Sequence, residues 1–171
     1  MKTYAQVRRG GIVLKVLMLS AAAGLAACSQ GPVDVAVEQL NGGCYALQAQ
    51  QAGLYLASRD LPLQERYAFH EADPQKAGHF RFTMTQAGVF QLTDRDGALL
   101  GSHVPFLEIA LKEPSDKALW EVEKKTGGYE LRNRATHALL RHTFREGEEL
   151  REKTVIYESG FSLIPQDDCT E

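Results

Sequence analysis

Two acidic residues that could ligate a metal ion stand two positions apart in the run Asp94-Arg95-Asp96-Gly97. Alternating carboxylates begin the loops that supply oxygen ligands to calcium. No glutamate follows at the position that would complete such a loop. An Asp-Gly pair is typical of a hairpin turn, which needs residues that tolerate positive backbone angles. We therefore predict a turn here, and we expect neither a metal ion nor another cofactor.

Histidines are the other side chains that could bind metal or transfer protons. None of them lies in an HExxH helix pattern or in a cysteine and histidine cluster with zinc spacing. The chain has no Gly-x-Ser-x-Gly motif to hold a serine nucleophile, although composition alone leaves a Ser/His/Asp triad open. We expect no catalytic residues. The five histidines are His70, His79, His103, His137 and His142.

Three cysteines, an odd number, raise the question of a free thiol in an exported protein. The first, Cys28, ends the sequence Leu25-Ala26-Ala27-Cys28 and follows an apolar run from Val16 to Ala27. Basic residues precede that run, and its 12 residues are too few for a membrane-spanning helix, which needs about 20. These are the features of a signal peptide covering residues 1–27. The alternatives are an ordinary secretory signal with an incidental cysteine, or an uncleaved anchor helix.

The segment around Cys28 resembles the lipobox of bacterial lipoproteins. The resemblance implies cleavage before Cys28, a diacylglycerol on its thiol, and attachment to a membrane through lipid chains such as palmitate. Ser29 follows the cysteine, and in the lipoproteins of Gram-negative bacteria this implies the outer membrane, with the domain facing the periplasm. Residues 28–42 are rich in glycine and polar residues and are expected to form a lipidated tether. An additional edge strand at 33–37 is the alternative.

The remaining cysteines, Cys44 and Cys169, lie near the two ends of the expected domain. Disulfides persist in the oxidising compartment to which a signal peptide leads, so we expect these two residues to pair. Two separate buried thiols are the alternative, since unpaired cysteine often behaves as a small apolar residue.

Charge gives no reason to expect nucleic acid as a partner. The whole chain has a net charge of −3, and the four basic residues before position 28 are lost with the signal peptide. The mature chain then has 15 basic and 22 acidic residues and a net charge of −7. Nucleic acids bind mainly through clustered lysine and arginine, so we expect no nucleic acid here.

Short apolar runs recur with a period of about 40 residues from Cys44 onward, and this repeat predicts an all-β fold. In two series a less apolar residue separates two large apolar ones, as in a strand with one buried face. A third series has adjacent apolar pairs, and a fourth set of strands follows longer polar loops. Three repeats of four strands would give twelve strands. The series are Tyr45–Leu47, Phe90–Leu92 and Tyr129–Leu131; Tyr55–Leu56, Leu99–Leu100 and Leu139–Leu140; Phe80–Phe82, Trp120–Val122 and Phe161–Leu163; and Glu65–His70, Phe106–Leu111 and Thr154–Glu158.

This pattern, from residue 43 to 169, resembles the β-trefoil family. The resemblance implies a six-stranded barrel closed by three hairpins, and a β-sandwich is the alternative fold. Ricin-type trefoil lectins carry Gln-x-Trp in their repeats, but here Ala118 stands at the glutamine position before Trp120. We therefore expect Trp120 in the core, and no sugar site of the ricin kind. Fascin-like trefoils, which lack the motif, are more similar.

The expected function is a non-catalytic binding module, anchored by lipid in the cell envelope, whose ligand is a protein or a glycan. A second resemblance sets the alternative. Gly43-Cys44-Tyr45-Ala46-Leu47 and the closing Cys169 are similar to the trefoil that precedes metal-dependent hydrolase domains in some bacterial lipoproteins. This implies an accessory N-terminal domain of a larger envelope hydrolase. The sequence does not indicate which residues bind the ligand.

Overall fold

The computed structural model describes residues 31–59, 66–104, 107–146 and 154–169. The predicted signal peptide 1–27 and the lipidation site Cys28 lie outside these residues. The described chain is all-β, and its helical segments are 3₁₀ turns at Val37–Leu40, Pro74–Lys76 and Asp116–Ala118. Its strands are β1 Cys44–Ala49, β2 Tyr55–Arg59, β3 Arg66–Glu71, β4 His79–Gln86, β5 Val89–Thr93, β6 Leu99–Val104, β7 Leu107–Leu111, β8 Leu119–Lys125, β9 Gly128–Asn133, β10 His142–Glu146, β11 Thr154–Glu158 and β12 Phe161–Pro165.

Six of these strands form a closed ring. Antiparallel pairing runs from β1 to β4, β5, β8, β9 and β12, and β12 pairs with β1 again. Closure leaves no free edge on these strands. Equivalent aromatic residues occupy equivalent places, because Tyr45 pairs with Phe80, Phe90 with Trp120, and Tyr129 with Phe161.

The other six strands form three hairpins, β2–β3, β6–β7 and β10–β11. The third repeat differs from the prediction, which placed a strand at Leu139–Leu140. Leu139 forms only an isolated bridge with Arg132, and the Leu140 amide donates to Leu131. Both residues therefore pair only with the end of β9. The ladder with β11 begins at His142, so β10 starts there.

Large apolar side chains fill the barrel. Phe80, Phe82, Phe90 and Phe161 are fully buried, and Trp120 is 1% exposed, as the sequence analysis expects. Buried aromatic side chains of this size each remove about 150–250 Å² from water. The Trp120 indole also donates a 2.8 Å hydrogen bond to the Leu100 carbonyl, so its polar atom is satisfied inside the core.

The start of β1 is linked to the segment that follows β12. Cys44 and Cys169 form a disulfide bond with Cα atoms 5.6 Å apart, in agreement with the expected pairing. No helix in the described ranges is long and apolar enough to cross a membrane.

The second half of the expected tether lies on the barrel. The Val33 amide donates to the Leu163 carbonyl, and Leu40 is fully buried in the core. Residues 33–42, which we call the strap, therefore belong to the folded domain. Their apolar side chains pack against the hydrophobic core. The described residues 33–36 have no strand ladder, in contrast to the alternative of an edge strand.

Candidate functional site

A polar cleft of about 180 Å³ opens between the first hairpin and the turn that joins β5 to β6. Strands β2 and β3 form one wall, and the Pro74–Lys76 turn and the start of β4 form the floor. The β5–β6 turn forms the other wall. The polar residues that line it are Ser58, Tyr67, His70, Glu71, Lys76, His79, Asp94, Arg95 and Asp96.

Asp94 shapes one wall of the cleft. One oxygen of its carboxylate accepts hydrogen bonds from the amides of Asp96, at 3.0 Å, and Ala98, at 2.8 Å. The other oxygen accepts the Tyr67 hydroxyl from the neighbouring repeat. Gly97 has a backbone φ of +80°, which glycine adopts without strain. This is the turn that the sequence predicted, and its carboxylate is used by the protein itself. No group of three or more His, Cys, Asp or Glu side chains in the described residues could hold a metal ion.

His79 and Arg95 meet in the cleft. The Arg95 guanidinium can only donate a hydrogen bond, so the Nδ1 atom of His79 accepts it, and the Asp168 carbonyl lies 3.4 Å from the same Nδ1 atom. Burial lowers the pKa of His79, and the charge of Arg95 lowers it further. The carbonyls of Asp168 and Pro74 oppose this shift. The imidazole is therefore neutral at pH 7 and holds Arg95 at the cleft.

The rim of the cleft offers hydrogen-bonding groups of both kinds. Arg95 is exposed and donates only one of its five N–H groups to His79. Glu71 accepts from the Asp73 amide at 2.9 Å, and Lys76 lies 4.0 Å from the Asp73 carboxylate. Ser58, a hydroxyl in the cleft, makes no hydrogen bond to a described histidine. The arrangement can hold a ligand rich in hydroxyl groups.

The five histidines are not gathered in one place, and only His70 and His79 line the cleft. His103 is exposed, with its Nδ1 atom 3.2 Å from the Lys117 amine. His137 has a φ of +56° in the β9 turn, where the corresponding turns have glycine. His142 is buried, with its ring 5.7 Å from that of Phe69. His103, His137 and His142 therefore lie in different parts of the fold and do not form a shared site.

Sequence reasoning missed a second polar group, on the hairpins of the second and third repeats. Tyr157 is 60% exposed, and the guanidinium carbon of Arg141 lies 5.4 Å from the centre of its ring. Burial raises the pKa of Glu108 to about 7, while the charge of Arg141 opposes the rise. Strand alternation places Glu108 on the face opposite Ile109, so no pattern in the sequence signals its burial.

Comparisons with solved structures identify the fold. The designed threefold-symmetric protein ThreeFoil matches with a TM-score of 0.50 and 17% identity, over 71% of this chain and 98% of that one. A lectin from Polyporus squamosus, determined with the influenza-binding epitope Neu5Acα2-6Galβ1-4GlcNAc, matches with a TM-score of 0.51 and 13% identity. The match covers 74% of this chain and 49% of the lectin.

A GH43 β1,3-galactosidase also matches, with a TM-score of 0.52 and 14% identity, over 82% of this chain and 32% of the enzyme. These likenesses show the β-trefoil fold. This chain spans only about half of the lectin and a third of the galactosidase. No protein-family model matches the sequence, and no curated protein matches it.

Proposed function

We propose that this chain is a non-catalytic, lipid-anchored module that binds a glycan at the bacterial cell envelope. The cleft carries the proposal, because its side chains provide several donors and acceptors around a volume of about 180 Å³. Saccharides present many hydroxyl groups, each able to donate and accept, and such ligands need this kind of lining. The lectin with a similar fold, determined with a sialylated trisaccharide, supports the choice of a glycan over a protein ligand.

Arg95 is the main anchoring residue of the proposed site. Its guanidinium is fixed by a neutral His79, which removes part of the conformational freedom that an exposed arginine would otherwise lose on binding. The carboxylates of Glu71 and Asp96 provide acceptors on opposite walls. Because the Gln-x-Trp motif is missing, recognition would depend on these polar groups.

The placement in the cell belongs to the same proposal. Signal cleavage after Ala27 and lipidation of Cys28 attach the chain to the outer membrane, with the domain in the periplasm. The Cys44–Cys169 disulfide supports export to an oxidising compartment. The domain is a twelve-stranded β-trefoil of three repeats, supported by the ring of six strands and the three hairpins.

A binding assay tests the glycan proposal. The chain lacking residues 1–28 is titrated with peptidoglycan fragments and with sialylated and galactose-terminated oligosaccharides. Arg95→Gln is expected to weaken the binding of the best saccharide about tenfold, the equivalent of one charged hydrogen bond of about 1.4 kcal/mol. Arg132→Gln, an exposed arginine on β9, is the matched control and should leave the affinity unchanged. No binding at millimolar concentration, or equal affinity in Arg95→Gln, would refute the proposal.

The second candidate is an accessory domain of a larger, metal-dependent envelope hydrolase. One observation favours it: the galactosidase contains a region of this fold within a chain about three times as long. Here too the module would bind and the catalysis would belong to another domain. Reading the coding DNA on both sides of the present sequence tests this candidate. A continuous reading frame with His and Asp metal motifs would support it, and stop codons would refute it.

A further inference from the structure

The strap covers one end of the barrel and is bonded to strands of all three repeats. Val33 donates to the Leu163 carbonyl of β12 at 2.9 Å, and Gly42 donates to the Phe82 carbonyl of β4 at 2.7 Å. Between them, Asp34 forms a 2.7 Å ion pair with Lys124 at the end of β8. The strap is therefore held at several separate places.

Tyr129 provides the most specific of these contacts. Its hydroxyl accepts from the Val35 amide at 3.0 Å and donates to the Val35 carbonyl at 2.8 Å. The same tyrosine is fully buried, so its ring is fixed by the core. Leu40, also fully buried, holds the other half of the strap. The chain thus leaves the domain at Val33, in a position that the core determines.

The cleft lies toward the other end of the barrel. Strand β5 connects the two regions, since it begins at Val89 and pairs with the end of β4, where the Met84 amide donates a 2.9 Å hydrogen bond to Asn41 of the strap. Its last residue, Thr93, leads directly into the Asp94 turn that lines the cleft. Val89 and Thr93 are four residue steps apart, which is about 13 Å along the strand.

We propose that the strap-covered end faces the membrane and that the cleft opens away from it. This rests on the lipid anchor of the proposed function. Only four residues lie between Cys28 and Val33, which are five residue steps apart, so the lipid lies at most about 17 Å from the exit point. Lys124 and Lys125, at this end of the barrel, form ion pairs with Asp34 and Glu123. The proposed orientation therefore depends on the short tether and does not require a basic surface that binds lipid headgroups. The cleft then meets glycans beyond the surface of the membrane that carries the protein.

Fluorescence quenching on vesicles tests the orientation. The lipidated protein is reconstituted into vesicles whose headgroups carry a spin-label quencher. A fluorescent amino acid replaces either Thr126, in the β8–β9 turn beside the strap, or Asp96, at the cleft; both are exposed. Quenching is expected to be about threefold greater at Thr126, because that turn lies nearer the exit point. Equal quenching, or greater quenching at Asp96, would overturn the proposal.

Two variants separate the possible causes. Ten glycine and serine residues inserted between Gly31 and Pro32 add a mean span of about 18 Å, so quenching at Thr126 should fall about twofold or more. Unchanged quenching would show that the barrel adheres to lipid by itself and would contradict a tether-set orientation. Cys28→Ser should not float with the vesicles. If the unsubstituted protein also fails to float, the lipid anchor is refuted. If it floats but the labels at Thr126 and Asp96 are quenched equally, only the orientation is refuted.

Discussion

Glu108→Gln is expected to make the protein more stable at pH 8 and to leave its stability nearly unchanged at pH 5. Burial raises the pKa of the Glu108 carboxyl from 4.5 to about 7. The folded state therefore favours the protonated carboxyl. Its contribution to stability is complete below pH 4.5 and is lost as the pH rises through about 7. Glutamine has nearly the same shape as protonated glutamate and stays neutral at every pH. The variant therefore does not lose this stability as the pH rises.

The size of the effect follows from the difference in pKa between folded and unfolded chains. Each tenfold change in proton affinity corresponds to 1.36 kcal/mol, so ionising Glu108 in the fold costs about 3 kcal/mol. The attraction of Arg141 for the carboxylate is already included in that pKa. The free energy of unfolding of small proteins falls by about 1–3 kcal/mol per molar urea. The urea midpoint of Glu108→Gln at pH 8 should therefore be about 1–2 M higher than that of the wild type.

Urea unfolding followed by tryptophan fluorescence measures this directly, because the single tryptophan, Trp120, is buried in the core. The wild type and the variant are compared at each pH, so the titration of other groups cancels. Glu121→Gln, an exposed glutamate on β8, is the matched control and should change stability by less than about 0.5 kcal/mol at both pH values. A Glu108→Gln variant that is no more stable than wild type at pH 8 would refute the burial argument.

Two further predictions concern the ends of the barrel. Replacing Cys44 and Cys169 together by serine opens a 125-residue loop and should lower the free energy of unfolding by about 5 kcal/mol in the chain-entropy model. A loss below about 1 kcal/mol in chemical denaturation would contradict a structural disulfide. Tyr129→Phe removes both hydrogen bonds to Val35 and should cost about 2 kcal/mol. Tyr157→Phe, at an exposed tyrosine, serves as the control. Equal losses of unfolding free energy in the two variants would show that the hydrogen bonds to the strap do not stabilise the fold.

Much of the fold could be predicted because its repeats have the same local pattern. The apolar alternation around Phe80, Trp120 and Phe161 gives strands in the same relation to the ring. The pattern was wrong at Leu139–Leu140, where a half-buried and a buried leucine extend the pairing of β9 without forming a ladder of their own. Apolar spacing reports burial, and it does not report which neighbour a residue pairs with.

The strap shows a second limit of composition. Glycine and polar residues predicted a tether from 28 to 42, but Leu40 is fully buried. Val33 and Val35 also pack on the core. Their alternation with Asp34 does indicate one apolar face. Such a face is buried only if it can pack against the open end of the barrel. That surface exists only in the folded protein, so the local sequence does not reveal it.

The cleft could be predicted only in its parts. The Asp-Gly turn was predicted from local chemistry, whereas its neighbour Tyr67 comes from another repeat, 27 residues earlier. Glu158 shows the same relation between repeats, since it accepts the Gln51 amide at 2.5 Å across 107 residues. Contacts of this kind connect a hairpin strand with the turn of the next repeat, and they depend on the closure of the ring.

A nuclear magnetic resonance titration shows directly whether the cleft binds a saccharide. Amide resonances of the chain lacking residues 1–28 are followed while the best-binding oligosaccharide is added. Saturable shifts are expected at Gly97 and His79 beside the cleft, and none is expected at Gly127 in the opposite turn. Shifts that are absent at saturating ligand, or that centre on Tyr157 and leave the cleft unchanged, would contradict saccharide binding in the cleft.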